Sequence, residues 1–335
     1  MISYKEFCDH VKDHITDFLP EEYQQASVIV QKVEKNNGLV LQGLSIKKEE
    51  ETIAPCIYLE QYYEEYSNGY GIKEVMREIG TVYMDYKSRE NDISIPQNLT
   101  DYESVKDQLI AQVVNTWRNM DRIESIPHVD REDLSFIFKI MVDMDDQGRG
   151  TITINNELMK VWGITTEQLC ADALENMKRI DPPEITSLAE TLSRMGFSFP
   201  GMDTEIDEKH MMYIISNKSH LGGAAYMFTD ELLSNLSDKL GSDLIVLPSS
   251  IHEVICISAE NTEMMLLADM VKKINASEVA PEEQLSDNVY YYDAKSHEIM
   301  LGSEHERREA EEAKQSKAKE TPEETEKLSN RRGGR

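Results

Sequence analysis

Hydroxyl, imidazole and carboxylate groups crowd together most densely in Pro248-Ser249-Ser250-Ile251-His252-Glu253. A serine near a histidine and a carboxylate is the raw material of a hydrolase, in which the imidazole takes the serine proton and the carboxylate orients the imidazole. Ser249, Ser250, His252 and Glu253 are therefore the catalytic candidates, with His128 or His220 as groups the fold could bring in from elsewhere. Spacing counts against them. In an extended segment Ser250 and His252 share a face about 6.6 Å apart, against the roughly 3 Å that proton transfer needs, while Glu253 points the other way. A proline followed by two serines is also the composition of a turn whose hydroxyls bond local backbone groups, and the sequence favours that reading.

Metal and anion binding have weaker claims. His252 and Cys256 stand at i and i+4, but such a pair needs a helix, the residues between are those of a strand, and Cys256 sits where a zinc-protease motif carries its second histidine. His10 and His14 lie one turn apart on a helix flank near Asp13 and Asp17, two ligands where zinc wants three or four. Asp143-Met144-Asp145-Asp146-Gln147-Gly148 has the alternating oxygens and sixth-position glycine of a calcium loop. Its twelfth position is Ile154 instead of a bidentate glutamate, so an acidic hairpin turn is expected. Lys218-Ser219-His220-Leu221-Gly222-Gly223 could wrap an anion with its amides but lacks the phosphate-loop spacing, and a turn is the simpler account. No metal and no cofactor are expected.

Two apolar runs, Leu244-Ile245-Val246-Leu247 and Val254-Ile255-Cys256-Ile257, must hold the serine-histidine segment between them as core strands. A helix over 229–240, stopped by Gly241, precedes them. Upstream, residues 4–18 show helical spacing behind a Ser3/Glu6 capping box, and 27–33 with 39–46 form a hairpin around Asn36-Asn37-Gly38. Pro55 marks residues 52–57 as an edge strand. Helices follow over 58–66, a tyrosine stripe read as core packing and not as a stacking platform, and over 72–86. The middle of the chain reads as a helix over 105–120, strands over 134–142 and 151–154, a helix over 165–179 and another from Asp181-Pro182-Pro183-Glu184 to Gly196. Strands over 212–216 and 224–228 flank the 218–223 turn. A helix over 262–274, with Met264, Met265, Ala268 and Val271 inward, and a final strand at Tyr290-Tyr291-Tyr292 complete the body. Hairpins alternate with helices without the rhythm of a parallel sheet, so the expected class is α+β with largely antiparallel sheets built from hairpins and covered by helices. The boundaries read as an N-terminal hairpin-and-helix subdomain over 1–95, a main domain over 96–302 and a charged tail over 303–335, solvated helix or disorder, broken at Pro322.

The 335 residues, 40% of them hydrophobic, are enough for a substantial core. Against 35 basic side chains stand 63 acidic ones, a formal charge of −28, which argues against direct contact with nucleic acid or an anionic membrane. The tail from Ser303 balances nine Glu with nine Lys and Arg, so the acidic excess belongs to the body. Cys8, Cys56, Cys170 and Cys256 are widely spaced with no CxxC pair and read as buried reduced thiols. The first residues show no cationic start before an apolar run, and no stretch of about 18 apolar residues could span a bilayer. The expectation is a soluble cytoplasmic protein.

Six strings together resemble a family of uncharacterised bacterial proteins, a domain of unknown function common in clostridial gut anaerobes. They are Lys35-Asn36-Asn37-Gly38, Ile126-Pro127-His128, Val161-Trp162-Gly163-Ile164, Gly223-Ala224-Ala225, Leu247-Pro248-Ser249-Ser250-Ile251-His252-Glu253-Val254 and Leu285-Ser286-Asp287-Asn288-Val289-Tyr290. The Pro-Ser-Ser-Ile-His-Glu string is the most specific. The resemblance covers about residues 1–300 and implies a bacterial cytoplasmic protein with an extended α+β body. It transfers no catalytic residue.

The leading functional expectation is a cytosolic, non-enzymatic binding or accessory protein whose acidic body contacts a protein partner. A hydrolase using Ser249 or Ser250, His252 and Glu253 is the rival. A third reading is an acidic mimic of DNA, its carboxylates competing for a basic nucleic-acid-binding partner.

Overall fold

Ser3 accepts a hydrogen bond from the Glu6 amide while the Glu6 carboxylate accepts from the Ser3 amide, and this reciprocal cap starts α1, Tyr4–His14. The computed structural model describes residues 1–49, 51, 54–89, 98–145, 148–194, 196, 211–248, 250–260 and 262–329. They form an α+β fold with three largely antiparallel sheets, arranged in two compact units. One comprises residues 1–105 with 140–153, the other 106–139 with 154–335.

In the first unit, β1 (Ser27–Glu34) and β2 (Val40–Lys47) pair antiparallel from Ser27↔Lys47 to Glu34↔Val40. The expected Asn-Gly turn joins them, with Asn37 and Gly38 both at positive φ. β3 (Cys56–Tyr58) begins just after Pro55 and pairs with β2 alone, at the sheet edge where proline costs no ladder bond. Thr52 and Ile53, included in the expected strand, lie outside the described residues. Over the sheet pack α1, α2 (Glu60–Ser67) and α3 (Ile72–Ser88), which bury Phe7, Val11, Tyr62, Met76, Ile79 and Tyr83 against Leu44 and Ile46. The tyrosine stripe is core: Phe7 stacks on Tyr66 at 5.8 Å, and the Tyr63 hydroxyl donates to the Ile2 carbonyl. A single turn, α4 (Tyr102–Val105), follows.

The expected helix over 105–120 is absent. Residues Leu109–Asn115 form β4, buried at nearly every position, followed by the short α5 (Met120–Ile123). Val105, Leu109, Val113 and Trp117 match a four-residue period, but the intervening Ile110, Ala111 and Val114 are buried too, which one helix face cannot achieve. Trp117, counted to the inward face, is exposed. β5 (His128–Arg131) pairs with β6 (Leu134–Asp145), and the sheet order is β4-β6-β5, with β7 (Gly148–Thr153) also paired to β6. Thus the acidic Asp143–Gly148 stretch joins two strands, as expected of a hairpin. Asp146 and Gln147 lie outside the described residues.

α6 (Asn156–Trp162) stops at Gly163 in the left-handed region, and α7 (Thr166–Ile180) starts where the Thr165 hydroxyl accepts from the Gln168 amide. The helix expected from Asp181 is instead β8 (Pro183–Ser187) followed by the short α8 (Leu188–Arg194). β8 is an edge strand, which is where Pro183 can sit without an unmet ladder position. β8 pairs with β9 (Tyr213–Asn217), and the expected strand over 224–228 is a buried 3-10 turn, Gly223–Phe228. It leads into α9 (Asp230–Leu240), stopped by Gly241 at φ +67, then β10 (Leu244–Leu247), β11 (Val254–Ser258), α10 (Met264–Glu278), β12 (Tyr290–Asp293) and β13 (Glu298–Leu301). The six-stranded sheet runs β13-β12-β10-β11-β9-β8.

Alternation along that sheet assigns its faces. Ile245, Leu247, Ile255, Ile257 and Tyr291 pack with Met264, Leu267, Ala268 and Val271 of α10. Met265, expected inward, is 74% exposed because, one residue on from Met264, it is turned about 100° out of the row that Met264, Ala268 and Val271 make. Helix α11 (Gly302–Ser329) continues across Pro322, where a break was expected. Proline removes one amide donor, and the glutamate and lysine around it keep the rest of the ladder favourable. Among the described residues no helix is long and apolar enough to cross a membrane. All four cysteines are free, but Cys56 and Cys170 are only half-buried, since each sits at the margin of its packed face.

Candidate functional site

The six-stranded sheet brings two of the candidate segments together. β9 and β10 both end on the side where β11 begins, so the loop after Asn217 and the loop after Leu247 emerge side by side. Gly223 is the contact point. A Cβ there would lie 2.6 Å from the Asn217 nitrogen and 2.7 Å from the His252 carbonyl oxygen, so only glycine allows the approach.

The polar groups of both loops serve one another. The Gly222 amide donates to Nδ1 of His252 at 3.1 Å, and Nε2 faces the Glu283 carboxylate at 3.4 Å. The neutral ring therefore carries its proton on Nε2. The Ser250 hydroxyl accepts from the His252 amide at 3.0 Å, the Ser250 amide donates to the Glu253 carbonyl, and the Ser216 hydroxyl donates to the His252 carbonyl at 2.8 Å. Ser250 and His252 thus meet through backbone, and the carboxylate beside the imidazole belongs to Glu283, not Glu253. Among the described residues no hydroxyl or thiol reaches either imidazole nitrogen. Ser249 lies outside the described residues. His128 bonds the Ile126 carbonyl at 3.0 Å, and His220, at positive φ, lies 4.0 Å from Glu184.

The 218–223 loop already holds an anion, its own Asp181. The Ser219 amide and hydroxyl donate to the two Asp181 oxygens at 3.1 and 2.5 Å. Most of the remaining amides are also engaged: Lys218 to Pro182, His220 and Leu221 to Asn217, and Gly222 to His252. Such a loop has few donors left for a phosphate.

His10 and His14 stand 4.5 Å apart by ring centroid, and His14 lies 3.6 Å from the exposed Asp17. Among the described residues no cluster of three or more His, Cys, Asp or Glu side chains could hold a metal ion.

A larger polar cluster was not singled out from sequence. Asp133 is buried in the β5–β6 turn and accepts hydrogen bonds from the hydroxyls of Ser286 (2.7 Å) and Tyr290 and from the Asn288 side-chain Nδ2 (2.9 Å). Arg118 ties in Gln284 and Asp287, and Asn275 bonds Asp287 and the Ser286 carbonyl. Burial, and secondly the Asp133 charge, push the Tyr290 phenol well above its ordinary pKa. The available signal was Leu285-Ser286-Asp287-Asn288-Val289-Tyr290, a dense polar run inside the body of the chain.

Residues 4–294 match the model of DUF5688, a family of unknown function. The chain belongs to that family. The match spans both units and ends short of α11. No curated protein and no solved structure matches the chain. Within the family match, Ser250 and His252 sit in a docked pair of loops, and Glu283, from the segment after α10, faces His252.

Proposed function

We propose that this chain is a cytosolic binding or accessory protein, without catalysis of its own, that contacts a protein partner. The observation that carries the reading is the outer face of α10. Leu266, Met270 and Ile274, spaced four residues apart, are 63%, 40% and 42% exposed, with Met265 beside them. Isolated exposed hydrophobics are ordinary, but four within ten residues of one helix are an interaction patch. The opposite face of α10 is anchored on the sheet, so the ridge is presented rigidly. That suits helix-in-groove recognition, with methionines supplying adaptable contacts. A body of charge −28 steers it toward a partner whose groove is rimmed by basic groups.

The engaged nitrogens of His252 and the backbone-bonded Ser250 support a binding role over hydrolysis. Gentle low-salt purification from native lysate tests the proposal. The wild-type chain is expected to elute with a stoichiometric partner, and a Leu266→Glu/Met270→Glu variant with unchanged melting temperature is expected to elute alone. Recovery of the wild-type chain only as a bare monomer overturns it.

A further inference from the structure

The second unit contains a cavity of about 240 Å³ whose chemistry differs from the surrounding surface. One wall is a single face of α7, with Cys170, Leu174 and Met177 following one another at helical spacing. Opposite are Phe136 of β6 and Phe228 of the 3-10 turn, edge to face at 5.4 Å. Tyr226 also faces the space, but its hydroxyl is held by the Asp181 carbonyl at 2.8 Å, so its ring is what it offers.

The charged groups in the lining are Arg131 and Lys178, both on exposed residues at the mouth. Among the described residues no carboxylate lines the cavity, although acids outnumber bases 63 to 35 in the chain. Arg131 donates to the backbone carbonyl of Asp130, and among the described residues neither side chain is within ion-pair distance of an acid. The guanidinium is near enough to favour the charged form of the Cys170 thiol, although burial, the larger influence, pushes that thiol up and Glu167 adds to it.

An apolar recess with convergent cations at its mouth has the makings of a small-molecule site. We propose that this cavity binds a small apolar carboxylic acid, its carboxylate at Arg131 and Lys178 and its hydrocarbon body against Phe136, Leu174, Met177 and Phe228. The cations supply what the rest of the molecule lacks, a place where an anion is not repelled, and the aromatic and thioether walls select an apolar body over a free phosphate or sulfate. This site is separate from the α10 ridge.

Cys170 reports on occupancy because it lines the cavity and is half-buried, whereas Cys56, also half-buried, lies in the first unit and serves as an internal control. The experiment follows iodoacetamide alkylation of each cysteine in the full-length chain by peptide mapping, with octanoate or octan-1-ol as the probe. Octanoate is expected to slow alkylation of Cys170 saturably, with half-effect between about 10 µM and 1 mM, and to leave Cys56 unchanged. Octan-1-ol is expected to protect about tenfold less well, and Arg131→Gln/Lys178→Gln to erase the difference between the probes. Leu174→Trp, which fills the space, is expected to make Cys170 alkylation independent of octanoate. The proposal fails if octanoate up to about 5 mM gives no protection of Cys170, if octan-1-ol protects equally, or if Cys56 is protected in parallel.

Discussion

At the scale of single residues, side chains with chemical promise can be occupied in holding the fold together. His252 illustrates this, with one imidazole nitrogen accepting from an amide and the other facing a carboxylate. Asp133 and Tyr290 are instead tied to other side chains, a buried carboxylate and phenol in direct hydrogen bond. Removing one donor from a charged acceptor inside the fold costs more than an ordinary hydrogen bond. Tyr290→Phe is therefore expected to lower unfolding stability by about 1.5–3 kcal/mol, read from urea denaturation. The same pair gives a pH dependence. Tyr290 is raised well above its ordinary value in the folded chain, so near pH 10 and higher the unfolded chain releases its proton while the folded chain retains it. Its contribution is complete below about pH 10 and lost as pH rises through the folded pKa. Tyr4, Tyr62, Tyr291 and Tyr292 are shifted the same way, each chiefly by burial. Stability is thus expected to fall above about pH 10, less steeply in Tyr290→Phe, and an identical slope in the variant would show that Tyr290 does not titrate with unfolding.

At the scale of elements, legibility followed how many faces of a segment are buried. α1, α3, α7 and α9 each show one apolar stripe and a cap or stop signal, and the β1–β2 hairpin has its Asn-Gly turn, so local chemistry identified them. β4 is buried on both faces and offers no alternation, so a chance four-residue spacing imitated a helix. The Gly223–Phe228 turn is equally apolar and equally buried, and nothing in its composition distinguishes it from a strand. Its position depends on Gly223, which lets it approach Asn217 and His252 more closely than any Cβ permits. Gly223→Ala is expected to destabilise the chain by about 1–3 kcal/mol, seen as a lower urea midpoint at unchanged m-value. A midpoint equal to wild type would show that the two loops yield to a methyl group without cost.

At the scale of the whole molecule, the charge dominates. The excess of acids over bases sits on the body and repels itself across the surface. Because a Debye length is about 10 Å at 0.1 M salt and about 30 Å at 0.01 M, screening relieves that repulsion over this range. The melting temperature is expected to rise between 0.01 and 0.1 M sodium chloride, as followed by circular dichroism at about these two concentrations. A fall would mean that attractive surface pairs such as Lys48–Glu22 outweigh the net repulsion. Composition and periodicity by themselves determined the net negative charge, the α+β class, the capped helices and the presence of a polar turn between two core strands, because these depend on composition or on residues close in sequence. Tertiary structure alone decided that His252 meets Gly222 and Glu283, that Asp133 is enclosed by a segment over 150 residues away, and that Arg131 and Lys178 share the mouth of one cavity. The reason is physical. Hydrogen-bond partners and cavities are set by which distant elements pack together, and chain order carries no direct record of that packing.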